Sequence, residues 1–319
     1  MAVAALHAAV IVAPDTPALE NVGLAVDFFF CLSGFVVAQA YDARLSAEMT
    51  VAEFMTKRLV RLYPMILLGV LLGLGAHLYV SGHPAGVSLS LAAREVLIIP
   101  APLDATGFTL NGPMWSLLFE IAACLGYALA VKWLPAKALP WLVAGAGIVL
   151  AIGIQIAGQV TTFGVSGITG MLCGIPRVAY PFLLGVVLQR SGLVARLPAL
   201  NPVVGVTALL AALLIPLASP AYDIVTAMLV LPAIMLAGAA TRVTGRAWEF
   251  AGRLSYPLYL VHWPVLLVAA KLSPFQTFVT GVAGVLLSVA VAAIALITYD
   301  EPARRWLSRL QSPVALRTA

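Results

Sequence analysis

The sequence predicts an all-α integral membrane protein, a bundle of about ten transmembrane helices with both termini in the cytoplasm. Three observations predict it. The 319-residue chain is 62% hydrophobic and 10% charged, with a mean hydropathy of +1.04; soluble domains run near roughly 45–50% apolar and about 25% charged. Apolar stretches follow one another almost end to end. The basic residues gather in alternate loops. No charged or Ser/Gly-rich stretch is long enough for a linker, so residues 1–319 read as a single integral membrane domain.

A spanning helix needs about 20 apolar residues. The segments that meet or approach this are 1–13, 22–40, 63–82, 112–131, 138–158, 176–190, 202–218, 223–241, 254–271 and 275–298. The first offers only about a dozen residues before Pro14, roughly 18 Å against a hydrocarbon core of about 30 Å, and points to a start upstream of Met1. No cleavable signal pattern precedes it, so it is expected to stay in the protein. Residues 45–62 mix Leu45, Phe54 and Leu59 with Glu53, Lys57 and Arg58. They read as an amphipathic helix lying on the cytoplasmic surface. The loop 81–111, broken by Pro84, Pro100, Pro102 and Gly107, is expected to re-enter in part. Gly69 and Gly73 permit close packing, a weak signal in any apolar helix. The segment 176–190 is short, and Pro257 and Pro264 predict a broken ninth helix whose freed carbonyls line a cavity.

Arg44, Lys57, Arg58, Arg61, Lys132, Lys137, Arg190 and Arg196 fall at the ends of even-numbered segments, as do Arg242, Arg246, Arg253, Arg304, Arg305, Arg309 and Arg317. Arg94, Arg177 and Lys271 alone fall on the other side. That bias sets the cytoplasmic face. It also accounts for the net charge of +5 and pI near 9.3 without a nucleic-acid partner. Cys31, Cys124 and Cys173 form no disulfide or metal spacing, and His77 and His83 stand apart, so no metal site is expected.

Ionisable groups at membrane depth are expensive and default to function. Glu120 lies inside Asn111-Gly112-Pro113-Met114-Trp115-Ser116-Leu117-Leu118-Phe119-Glu120, and His7 and His262 lie in other apolar stretches. An imidazole exchanges a proton near neutral pH, which suits a general base, and it can equally relay an acyl group; the sequence does not separate the two. Asp27, near the outer end of the second segment, is a candidate to orient that imidazole, and Glu120 comes to a comparable height. Arg58 and Arg61 share one helix face at the cytoplasmic surface, where paired guanidinium groups suit phosphate. The plainer reading is that the buried groups glue helices together and the arginines anchor anionic lipid.

Taken in order, His7, the run Val26 to Phe35, Arg58-x-x-Arg61-Leu62-Tyr63-Pro64, Asn111 to Glu120 with Tyr127, Pro176-Arg177-Val178, Ser255 to Pro264 and Tyr299-Asp300-Glu301-Pro302 resemble the membrane acyltransferase 3 family over essentially the whole chain. The resemblance implies ten core helices in the bacterial inner (cytoplasmic) membrane. It implies transfer of an acyl group, usually acetyl, from acyl-CoA as donor substrate to a hydroxyl of a sugar-containing acceptor, with no permanently bound cofactor. It gives His7 the catalytic role, with Glu120 and Asp27 in support. It gives Arg58, Arg61 and Tyr63 the donor. Asn111, Trp115, Ser116, Tyr256, Tyr259, His262 and Arg177 become acceptor-side candidates. Family members carry an arginine about eleven residues before the helix 1 histidine, a position that here precedes Met1. The expected partners are the bilayer, acyl-CoA and a glycan or glycoside; self-association stays open. Buried ionisable groups and broken helices also suit a transporter or flippase, but no internal repeat is evident. A non-catalytic polytopic subunit is the third reading.

Overall fold

The structure is a computed structural model that describes residues 2–12, 17–82, 84–101, 107–164, 167–217, 219–241, 243–273 and 278–310. Pro14, His83, Pro102, Arg242 and Arg317 lie outside the described residues. The helices are α1 (Ala2–Val12), α2 (Ala25–Ala47), α3 (Val51–Ser81), α4 (Ala85–Val96), α5 (Met114–Ala130), α6 (Leu139–Ala157) and α7 (Gly167–Arg190). They continue with α8 (Pro202–Leu214), α9 (Pro220–Val225), α10 (Leu231–Ala240), α11 (Arg246–Leu272), α12 (Phe278–Ala295) and α13 (Glu301–Leu310). A π turn over Thr226–Val230 joins α9 to α10, and another over Leu296–Asp300 joins α12 to α13.

Among the described residues, six rods are long and apolar enough to cross a membrane: Asn21–Ala47, Val51–Ser81, Leu139–Ala157, Gly167–Arg190, Pro220–Ala240 and Phe278–Leu310. Met114–Ala130 and Pro202–Leu214 are shorter apolar helices. Their outward faces are apolar too: Trp141, Ile148, Ile152 and Ile156 on α6, and Phe278, Val279, Leu286 and Ile294 on α12, stand exposed. Such a belt is stable against lipid and not against water.

Among the described residues four apolar clusters hold the bundle together, of which the two largest frame the site. Met65, Ile66, Val70, Met114, Leu258 and Val261 join α3, α5 and α11. Leu150, Ile154, Tyr180, Leu213 and Leu231 join α6, α7, α8 and α10. Helix α2 crosses α7 backbone to backbone. A Cβ on Gly34 would stand 2.0 Å from the carbonyl oxygen of Phe182, and one on Gly185 would stand 2.1 Å from that of Cys31.

Several expectations are corrected. Residues 51–62 do not form a separate surface helix; they are the first turns of α3. Thr50 and Glu53 start that helix with a capping box: the Glu53 N–H donates to Thr50 Oγ1 at 3.2 Å, and the Thr50 N–H donates to Glu53 Oε2 at 2.8 Å. The short segment 176–190 becomes 24 residues, because Pro176 and Pro181 are carried inside a continuous α7. Helix α11 is likewise unbroken through Pro257 and Pro264.

Proline removes an N–H and frees the carbonyl four residues earlier. Pro264 frees Leu260, whose oxygen instead accepts from Asn111 Nδ2 at 2.8 Å. Pro232 frees Met228, whose oxygen accepts from the Tyr180 hydroxyl at 2.8 Å. At these two prolines a side chain from the neighbouring loop or helix replaces the lost bond, which helps keep a proline helix intact at membrane depth.

The loop after α3 does fold back. Helix α4 runs down along α3, and the Tyr63 hydroxyl donates to Val96 O at 3.1 Å. Glu95, fully buried, then accepts the N–H groups of Leu110 (2.7 Å) and Asn111 (3.1 Å). Those two residues cross α3 where it carries Gly69 and Gly73: a Cβ on Gly73 would meet Leu110 O at 2.6 Å. The glycine pair therefore admits the returning loop, and at Gly69 also helix α11, whose Leu260 O would stand 3.1 Å from a Cβ there. Consequently α5 begins roughly 18 Å below the outer end of α3, at 1.5 Å per residue.

Candidate active site

Because α5 starts so low, Glu120 comes level with the first turns of α3. There it forms an ion pair with Arg58 Nη2, and the Ser33 hydroxyl donates to Glu120 Oε1 at 3.1 Å. Arg58 is buried inside the bundle. Arg61, one turn later, is exposed and makes no ion pair among the described residues.

A cavity of about 400 Å³ opens above them. One wall is apolar, built by Phe28, Phe29, Leu32 and Val36 of α2 and by Val206, Leu209, Leu210 and Leu213 of α8. The other is polar, with Arg58, Arg61, Ser116, Glu120, Ser255, Tyr256, Tyr259 and His262. The arginines sit roughly 12–17 Å below Gly69 along α3, by helical rise. Leu260, two residues before His262, packs against Gly69. The cavity therefore links a cationic inner end to an imidazole about 15 Å or more further out. Aromatic hydroxyls frame it: Tyr259 shares a 2.6 Å hydrogen bond with Ser116 and lies 2.9 Å from Pro113 O, while Tyr256 donates to Leu62 O at 2.7 Å.

At the far end His262 lines the cavity, while His7, which is not part of the lining, places its Nδ1 2.7 Å from His262 Nε2. The rings are within 9° of coplanar with centroids 5.0 Å apart, so the nitrogens meet in the ring plane rather than face to face. His262 Nδ1 lies 3.0 Å from Leu258 O. Trp263 stands edge-on to His7 at 84°. Among the described residues, His7 Nε2 has no hydrogen-bond partner. Nearby, Trp263 Nε1 and Asn111 Oδ1 are buried with no partner among the described residues, one donor and one acceptor.

The structure separates the other candidates. Asp27 does not meet His7. It receives Arg177 Nη2 at 2.9 Å and Nε at 3.2 and 3.3 Å, with both side chains 1% exposed. Arg177 also donates to Phe163 O and Gly23 O, each at 2.9 Å, and lies over the Trp115 ring. Its donors are spent on the fold, and neither Arg177, Asp27 nor Trp115 lines the cavity. Tyr63 and Asn111 serve the re-entrant loop. Among the described residues no cluster of His, Cys, Asp and Glu has the makings of a metal site. Sequence reasoning missed Ser33, Trp263, the α8 wall and the cluster in which Arg190 (2.6 and 2.8 Å) and the Tyr127 hydroxyl (2.5 Å) converge on Asp42. A serine or leucine in an apolar helix carries no signal of what it faces.

Comparison with known proteins follows this geometry. A family model described as an acyltransferase domain matches residues 1–297. "Protein 2 in picA locus" of Rhizobium radiobacter is 37% identical over 126 residues, which cover 33% of this chain and 64% of that protein. The chain thus spans less than two thirds of that relative. No solved structure matches it.

Proposed function

The chain belongs to the membrane acyltransferase 3 family, and from that premise we propose that it moves an acyl group, acetyl in the simplest case, from cytoplasmic acyl-CoA to a hydroxyl of a sugar-containing acceptor. The observation that carries this reading is the single cavity running from Arg58 and Arg61 to His262. Acyl-CoA is an anionic head on a long arm with a thioester at its tip. Phosphates held at the exposed Arg61 leave the arm to climb the cavity between the α2 and α8 walls. The thioester then arrives beside the paired histidines.

There the acceptor oxygen attacks the thioester carbonyl while His7 Nε2 takes its proton. The carbon–sulfur bond breaks, an ester forms, and the proton on Nε2 passes to the departing thiolate to give free CoA. Trp263 Nε1 and Asn111 Oδ1 offer a donor and an acceptor for further hydroxyls of a sugar.

The test is CoA release from acetyl-CoA by the full chain in liposomes, with mixed bacterial glycans as acceptor. Turnover is expected, and His7→Ala should lower it about 10²–10⁴-fold, the usual worth of a general base. Substrate movement without CoA release would overturn the reading in favour of transport. An acylated histidine trapped on rapid quenching would overturn the general-base step alone.

A further inference from the structure

We propose that His262 is a positioning residue that selects the tautomer of His7; this rests on the acyl-transfer reading above. A neutral imidazole has one N–H donor and one lone-pair acceptor, and the bond made by one nitrogen decides the other. His262 Nδ1 faces the carbonyl oxygen of Leu258 at 3.0 Å. A carbonyl only accepts, so this nitrogen carries the proton. His262 Nε2 is therefore a lone pair, and it faces His7 Nδ1 at 2.7 Å. Two lone pairs at that distance repel, so His7 Nδ1 carries a proton and donates it. The remaining nitrogen, His7 Nε2, is left unprotonated and, among the described residues, has no hydrogen-bond partner.

The chain of donors thus runs from His7 to His262 to the backbone of α11, and its free end is the basic nitrogen the reaction uses. The near-coplanar rings align the N–H with its acceptor, and the perpendicular Trp263 fixes the plane. His262 takes the place that a carboxylate holds in hydrolytic triads. As a neutral acceptor it orients the ring without adding a negative charge. When His7 Nε2 gains the acceptor proton, His7 Nδ1 keeps its own, so no proton moves to His262.

Two isosteres separate orientation from packing. Glutamine puts an oxygen acceptor where His262 Nε2 sits, whereas asparagine reaches only the position of Nδ1. We expect His262→Gln to keep kcat within about tenfold of wild type. His262→Asn should lose about 10²-fold in kcat with the acetyl-CoA KM unchanged. Nitrogen NMR of the full chain labelled at histidine, which occurs four times, should show His7 protonated at Nδ1, with that preference lost in His262→Asn. Equal activity of the two variants, or a wild-type His7 protonated at Nε2, would overturn the inference. If His262→Asn fails to fold, the wild-type spectrum alone decides. A wild-type protein that never releases CoA would sink the acyl-transfer reading instead, while the spectrum still reports the tautomer.

Discussion

Arg58 and Arg61 are three residues apart and equivalent in sequence, yet the fold gives them different tasks. Arg58 is buried and already neutralised by Glu120, while Arg61 is exposed at the mouth of the same cavity. Removing one partner of a buried pair strands the other and costs about 3–5 kcal/mol. Arg58→Ala should therefore lower the melting temperature in detergent. Arg58→Ala with Glu120→Ala should cost less than the sum of the single losses, because no charge is left uncompensated. Arg61→Ala should leave the melting temperature unchanged and raise the acetyl-CoA KM about tenfold or more. A KM effect confined to Arg58 would reverse these assignments.

At the scale of elements, close approach is set by glycine and continuity by borrowed hydrogen bonds. The α2–α7 crossing allows no side chain at Gly34 or Gly185, where a Cβ would lie about 2 Å from backbone oxygen. Gly75, also within a helix, has nothing within 4 Å of its Cβ position. Gly185→Ala should abolish a monodisperse fold or lower its melting temperature sharply. Gly75→Ala should be neutral or stabilising by up to about 1 kcal/mol, since alanine favours helix. The same melting series checks both. The Asn111 bridge to Leu260 works in the opposite sense: it lets α11 carry Pro264, and so His262, without breaking.

For the whole molecule, the arrangement requires a direction. With cytoplasmic acyl-CoA as the proposed donor, the cationic end of the cavity is expected to face the cytoplasm, and the positive-inside bias predicts the α7–α8 turn on that side. With Cys173 replaced by alanine, and Cys31 and Cys124 buried, Ala85→Cys should react with an impermeant maleimide in intact cells. Ser191→Cys should react only after the membrane is opened. The reverse pattern would invert the topology and remove the donor's route to Arg61.

Several features were legible in one dimension. Membrane class follows from apolarity and charge placement, which are local sums along the chain. His7, Glu120 and His262 stood out because an ionisable group in an apolar run is conspicuous whatever surrounds it. The capping box at Thr50 and Glu53 is equally local, but the sequence reading did not draw on it, and the charged turns after it masked the continuity of α3 with its spanning part.

Partnership was decided only in three dimensions. Comparable depth suggested that Glu120 and Asp27 serve His7, yet Glu120 turns to Arg58 and Asp27 to Arg177. The group that meets His7 is His262, 255 residues away. Depth along a helix can be counted from sequence, but the direction a side chain faces depends on which helices pack together. The re-entrant loop shows the same limit. By starting α5 roughly 18 Å low, it moves Glu120 to the level of the arginines, a displacement that helix length and hydropathy do not encode. The sequence alone thus determined that this is a membrane protein with buried ionisable groups; the tertiary packing decided which of them meet.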